Sequence, residues 1–364
     1  MARRFHLTRS ASPRPPSAAT VFCDGSADET WREGVDLELS HWVPNRTPAR
    51  YRADTSTEIC LRYLAEPLER EFDLVVNNHV DVDGMLSVFT LVHPDVALGH
   101  AAVLAGAAAT GDFDAWAEEP AQALYQELTL RMQQLEGART DPQAVYAACF
   151  DRALDLLAGR AIPAPGVAEG VAALARAVDR VEAGEVRRVP RHEHFVRFEV
   201  PAALAGGDLA AALRVPGFNE PLDLRAPLPA PARNRHDRDA VHLVSVESAA
   251  QGWHHDLFYP GHYWADTERR WRPPGLVAAG TNSWRLELPA LLEAVRELQA
   301  AERHAGTWCA VGRLTLDSGV PGRGGGVVLS FLLGGAPAPS SLAPAQVGEC
   351  LAPVFAEEDA RGGA

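Results

Sequence analysis

Residues 77–84 read Asn-Asn-His-Val-Asp-Val-Asp-Gly and follow directly on the apolar run "FDLVV". His79, Asp81 and Asp83 fall at alternate positions, so an extended backbone would carry all three side chains to one side. One imidazole with two carboxylates is a borderline-to-hard donor set, suited to Mn2+, Mg2+, Fe2+ or Zn2+. Without a cation, two carboxylates so close would repel and one pKa would have to rise. A helix cap accounts for Asp83 or Asn78 alone, but not for the histidine and both aspartates. The segment lacks the third acidic position and the bidentate glutamate of an EF-hand loop.

The elements around this segment must position it. A valine-rich run ending in polar residues before a helix is the pattern of a strand covered on both faces in a parallel sheet. Ligands bind outside the carboxyl ends of such strands. Gly84 is expected to open a short helix, "MLSVFTLV", that ends near His93 because Pro94 follows. Upstream, "DTSTEICLRYLAEPLER" predicts a helix with Thr55 and Glu58 in a capping-box pattern and Cys60, Tyr63, Leu64 and Leu68 on one face. "VALGHAAVLAGAAA" reads as one small-residue helix running into "TGDFDAW".

Three amphipathic helices are expected between 116 and 184, and strands dominate after Gly184, with one helix over 288–303 among them. "HEHF", with His192 and His194, reads as alternating strand. The fold class expected is α/β, a parallel-sheet domain with a helical insertion and a C-terminal α+β portion. The boundaries are a disordered lead-in over 1–20, the metal-site domain over 21–115, the insertion over 116–190, the α+β portion over 191–335 and a loose tail over 336–364.

"HVDVDGMLS" resembles the first motif of the DHH phosphoesterase superfamily, in which a strand ends in a His/Asp-x-Asp-Gly segment followed by a helix carrying Ser or Ala. The preceding strand, Gly84 and Ser87 match it. The resemblance implies that His79, Asp81 and Asp83 ligate a pair of Mn2+ ions that activate water to attack phosphorus. "AAATGDFDAW" is similar to a later helix of that superfamily ending in Gly-Asp, which implies Asp112 as a further ligand. The likeness covers about forty residues. The superfamily's Asp-His-His triplet is absent, the nearest string being the reversed "GWHHDLF", and "GRGGGVV" has valine where its Gly-Gly-Gly-His has histidine.

Other clusters offer substrate contacts. "LSHWVPNRTPARYRADTSTE" gathers His41, Trp42, Arg46 and Arg50 ahead of a capped helix, where arginine forks and a helix N-terminus could meet an anionic substrate. His254, His255 and Asp256 are candidate proton-transfer groups, and His262 and Asn282 candidate substrate contacts, in a stretch rich in aromatic residues. His79-x-Asp81 with a distal histidine such as His262 also matches the donor set of non-haem iron oxygenases, although those place it on a β-barrel. A non-catalytic binding or scaffold protein is the remaining alternative.

Composition narrows the classes. The 364 residues carry a net charge of −14, which disfavours a nucleic-acid clamp but leaves room for a small anionic substrate and a local arginine cluster. All 34 cationic side chains are arginine, which excludes a lysine Schiff base and a Walker-type lysine. Five dispersed cysteines fit a reduced, cytoplasmic setting, and no apolar run or leader-like segment points to a membrane or to secretion. The expectation is a metal-dependent hydrolase of a phosphoester with a divalent cation, Mn2+ foremost and Mg2+ or Fe2+ as alternatives. The oligomeric state is left open.

Overall fold

The computed structural model describes residues 3–206, 208–217, 220–249, 251–268, 270–316 and 318–356. They form two compact units, the first made of residues 1–171, 218–221 and 265–270 and the second of 172–217, 222–264 and 271–364.

The first unit is built on four short strands, β1 (Arg4–Leu7), β2 (Thr20–Cys23), β3 (Leu37–Leu39) and β4 (Leu74–Asn77), in the order β1-β4-β2-β3. All three pairings are parallel, with Val75 opposite both Phe5 and Val21 and with Val21 opposite Leu37. Alternation along each strand divides the side chains between two faces. Leu7, Val21, Cys23, Leu37, Leu39 and Val75 join the main core. Phe22, Leu74 and Val76 form a smaller cluster against Ala27 and Trp31. Both faces are covered, which is why β4 reads as an apolar run up to Asn77, while β1 and β3 also bury His6 and Glu38.

Six helices complete this unit: α1 (Ser56–Ala65), α2 (Val82–Val92), α3 (Pro94–Gly99), α4 (Ala101–Phe113), α5 (Glu119–Gly137) and α6 (Pro142–Leu157). Thr55 caps α1, its side chain accepting from the Glu58 N–H as expected, but the helix stops before Leu68. The small-residue run is two helices rather than one, because His100 leaves helical geometry at φ −125° and ψ 25°. Leu124 and Leu128 of α5 and Val145 and Tyr146 of α6 pack in the same core as Leu7 and Val75. α5 and α6 therefore pack with the sheet domain, while the third expected helix, Pro165–Glu182, is divided between the two units. The expected disordered lead-in is also corrected: Phe5 and Leu7 have an apolar face to fill, and Arg4 stays at the rim on Asp73 at 2.7 Å.

In the second unit the main sheet runs, by residue range, Thr307–Ala310, Val327–Leu333, Gly252–Phe258, Val241–Ser248, Phe195–Val200, Arg187–His192. Only Phe195–Val200 with Val241–Ser248 is parallel along this path. His192 ends the strand Arg187–His192 and His194 lies in the hairpin turn that follows, so the two do not alternate within one strand. The expected loose tail instead contains a short strand, Ala336–Pro337, and a helix, Pro344–Leu351; residues 357–364 lie outside the described residues. No helix among the described residues is long and apolar enough to cross a membrane.

Candidate metal centre

Parallel strands deliver their carboxyl ends to one edge of a sheet. β2 runs into Asp24, β3 into Ser40 and His41, and β4 into Asn78 and His79, so each of the three contributes a donor just past its last residue. Asp24 and Gly25 turn the chain with φ values of 49° and 78°. Glycine is required at 25, since a Cβ there would lie 2.4 Å from Asn78 Oδ1.

The helices add three more carboxylates. α2 begins at Val82, two residues earlier than expected, with Asp81 as its N-cap. The backbone therefore leaves extended geometry before Asp83, and the alternate-position argument does not carry the three side chains to one point. His79 Nε2 lies 2.7 Å from Asp81 Oδ2 and 2.9 Å from Asp24 Oδ2. Asp83 turns inward to a different neighbour, its Oδ2 lying 3.6 Å from His41 Nε2. Asp112, from the last turn of α4, brings Oδ2 to 3.1 Å from the same nitrogen, and Asp24 Oδ1 is 3.5 Å from it.

Two three-residue donor groups result, Asp24–His79–Asp81 and Asp24–His41–Asp83, within which the donor atoms lie within 4.8 Å of one another. Asp24 is common to both. Asp81 Oδ1 accepts from the Gly84 N–H at 2.7 Å, and both oxygens of Asp83 accept from the start of α1, from Ser56 N and Thr57 N at 2.8 Å each. These bonds fix the carboxylates on two helix N-termini, where negative charge is favoured.

The imidazoles are oriented by carbonyl oxygens. His79 Nδ1 lies 2.7 Å from Asn78 Oδ1, and Asn78 Nδ2 donates to Ser26 O at 3.1 Å, which fixes the amide orientation. His41 Nδ1 lies 2.6 Å from the Asp54 carbonyl. A carbonyl only accepts, so the proton of each ring sits on Nδ1 and a neutral ring presents its Nε2 lone pair to the carboxylates. That is the tautomer a metal ligand needs. Consistent with it, neither His79 Nε2 nor Asp24 Oδ2 has a hydrogen-bond partner among the described residues, despite their close approach.

Charge makes the cluster costly without a cation. Burial, and then Asp83, push the Asp112 carboxyl well above the ordinary carboxylate range, while burial and Asp24 push Asp83 up to about 6. Burial also opposes the charge on Asp24, but His79 and then His41 outweigh it and hold that carboxyl well below its ordinary value. Burial likewise disfavours the imidazolium forms. Asp81 and Asp24 nevertheless raise His79 well above its usual pKa, and Asp112 and Asp24 do the same for His41. The cluster thus draws in protons where it has no other counter-charge, and divalent cations would replace them.

Residues 4–183 match the model of a family of unknown function, DUF6687. All six donors lie inside that span. Neither the curated proteins nor the solved structures gave a match.

The sequence-nominated ligands His79, Asp81, Asp83 and Asp112 all stand in this cluster. Asp24 and His41 were not nominated as ligands. Their signal was present in "TVFCDG" and "LELSHW", which repeat the pattern of "LVVNNH": an apolar strand followed at once by a donor.

The nominated substrate residues have other engagements. Arg46 pairs with Glu38 at 3.3 Å and lies over the Trp31 ring, and Arg50 lies over the Tyr51 ring. His254, His255, Asp256, His262 and Asn282 belong to the second unit. His255 commits both ring nitrogens, to Ser245 Oγ at 2.8 Å and Leu342 O at 3.0 Å, and burial pushes its pKa down to about 4. Asp256 is held by Arg323 at 2.5 Å, and burial lowers the pKa of the neighbouring His254. His262 Nε2 lies 2.9 Å from Trp271 O. Asn282, with φ 43°, occupies the turn between strands Leu276–Gly280 and Ser283–Leu286.

Proposed function

We propose that the first unit binds divalent cations among its six donors and uses them to hydrolyse a phosphoester of a small anionic substrate. The observation that supports this reading most is Asp24. Its Oδ1 faces His41 at 3.5 Å and its Oδ2 faces His79 at 2.9 Å, so one carboxylate serves two histidine-containing donor groups. A shared carboxylate is what a paired-cation site requires, and such pairs stabilise both the attacking and the leaving oxygen of a phosphoryl displacement.

The donor chemistry fits the ion. Four carboxylates and two imidazoles prepared on Nε2 suit Mn2+, with Mg2+ favoured less because imidazole is a softer donor than water or carboxylate. Bound cations there would polarise phosphoryl oxygens and lower the pKa of a water. The chain's own part is to hold the donors: Asn78 and the Asp54 carbonyl orient the imidazoles, and the N-termini of α1 and α2 hold Asp83 and Asp81. The resemblance of "HVDVDGMLS" to the DHH phosphoesterases points to the same reaction class.

Metal analysis of protein purified without chelator, paired with hydrolysis of bis(p-nitrophenyl) phosphate, tests the proposal. The expected result is about two Mn2+ per chain, and Asp24→Asn should drop both the metal content and the hydrolysis, since it weakens both donor groups together. A wild-type protein that takes up no Mn2+, Mg2+ or Fe2+ would end the reading.

A further inference from the structure

Asn77 ends β4 beside the donor cluster, and its side chain is divided in use. Oδ1 accepts the His79 backbone N–H at 2.8 Å, which fixes the amide orientation. Nδ2, on a residue only 2% exposed, has no hydrogen-bond partner among the described residues. A buried amide N–H2 left unsatisfied costs free energy comparable to a lost hydrogen bond, so its retention beside a charged cluster calls for an acceptor.

The surroundings say where that acceptor would come from. A Cβ built on Gly84 would lie 2.5 Å from Asn77 Nδ2, 2.8 Å from Asp81 Oδ1 and 2.9 Å from Asp24 Oδ2. The donor of Asn77 and one oxygen from each of two candidate ligands thus crowd one point, against a residue with no side chain. Asp24 Oδ2 and Asp81 Oδ2 are the oxygens that approach His79. The amide N–H2 therefore sits at the outer donor group, Asp24–His79–Asp81, whose histidine side chain keeps 13% exposure, while the His41 side chain has none.

We propose that Asn77 Nδ2 is a substrate-binding donor for a phosphoryl oxygen brought to this outer group. The inference rests on the cation reading, because a phosphate approaches four carboxylates only when cations reverse the local charge. It adds what that reading lacks: a neutral, directional hydrogen-bond donor at the cluster. A fixed donor aimed at an oxyanion in a water-poor site is the arrangement that stabilises charge most effectively.

Orthophosphate is the probe, titrated calorimetrically into Mn2+-loaded and into metal-free protein. Asn77→Asp keeps the acceptor for the His79 N–H but loses the donor, and Asn77→Ala loses both without adding charge. Loss of the donor is the one change common to the two. Compared at equal Mn2+ loading, both variants should bind orthophosphate about ten- to a hundredfold more weakly than wild type, the effect of deleting one hydrogen bond to a charged group. Wild-type phosphate affinity in either Mn2+-loaded variant would overturn the role of Asn77 and leave the cation site standing. A wild-type protein that holds no Mn2+ would overturn both.

Discussion

Asp83 accepts the backbone N–H of Ser56 at 2.8 Å, so a carboxylate offered by α2 also holds the first turn of α1. Thr57 N completes the grip, and the Thr57 hydroxyl returns a bond to Asp83 O at 3.1 Å. Asp81 does the equivalent for its own helix through the Gly84 N–H. The two aspartates of the motif, candidate metal ligands, therefore also anchor helices, each a different one.

This division predicts separable amide exchange. In metal-free protein, Asp83→Ala should speed exchange at Ser56 and Thr57 by about tenfold or more, as expected from losing bonds worth roughly 1–3 kcal/mol to a charged acceptor. Asp81→Ala should do the same at Gly84 and leave Ser56 and Thr57 protected. Hydrogen exchange read by mass spectrometry distinguishes the two; equal effects at both helices would contradict the assignment.

Gly84→Ala sets two effects against each other. Alanine in a helix is favoured over glycine by about 1 kcal/mol. Its Cβ, however, would come within 3 Å of Asn77, Asp81 and Asp24 side-chain atoms, none of which can stay in place. Because those atoms are the ends of side chains, the fold can accommodate the methyl while the donor group cannot. The variant should fold with near wild-type circular dichroism and lose most of its Mn2+, measured by metal analysis.

Asn78 orients His79 without being a donor itself. Asn78→Ala removes the acceptor at Nδ1 and leaves the proton free to move to Nε2, the nitrogen that faces Asp24 and Asp81. Losing the hydrogen bond that orients a ligand ring reduces metal affinity about 10–100-fold. Asn78→Asp, which keeps an acceptor, should recover most of it. An unchanged Mn2+ affinity in Asn78→Ala would show that the Trp42 ring, 4.9 Å from the imidazole, is enough to hold it.

Much of this site was legible in the sequence, for a physical reason. A parallel strand covered on both faces leaves its signature in an unbroken apolar run, and the polar residues that follow must lie at the edge where ligands bind. That reasoning reaches His79, Asp81 and Asp83, whereas Asp112 on a helix follows only from the resemblance of "AAATGDFDAW" to a DHH phosphoesterase helix. Strand-edge reasoning stops short of Asp24 and His41, because each follows its strand as a lone candidate donor, whereas β4 is followed by His79, Asp81 and Asp83 together. Which strand ends become neighbours depends on the order β1-β4-β2-β3, which no local pattern encodes. The lead-in and tail depart from expectation because composition weighs proline and serine over the few apolar residues that dock, such as Leu7 at one end and Val347 and Leu351 at the other.

Protonation supplies the last test. Without cations the folded pKa values of Asp83, Asp112, His41 and His79 all lie above their ordinary ones. A group whose folded pKa is raised binds more protons folded than unfolded, so its contribution to stability is present at low pH and is lost as pH rises through the folded value. Asp83 acts in this way between 3.8 and about 6, and the histidines above 6.5. Asp24, whose pKa is held down, acts oppositely but only below 3.8. Metal-free protein should therefore unfold at lower urea as pH rises from 5 to 8, about where most proteins are flat. Mn2+ displaces the same protons, so its affinity should climb with pH by about tenfold per unit for each proton released. Calorimetry in buffers of different ionisation enthalpy counts those protons directly. An Mn2+ affinity flat across this range would mean that the ion binds without displacing the imidazole protons, and that His41 and His79 are not its ligands.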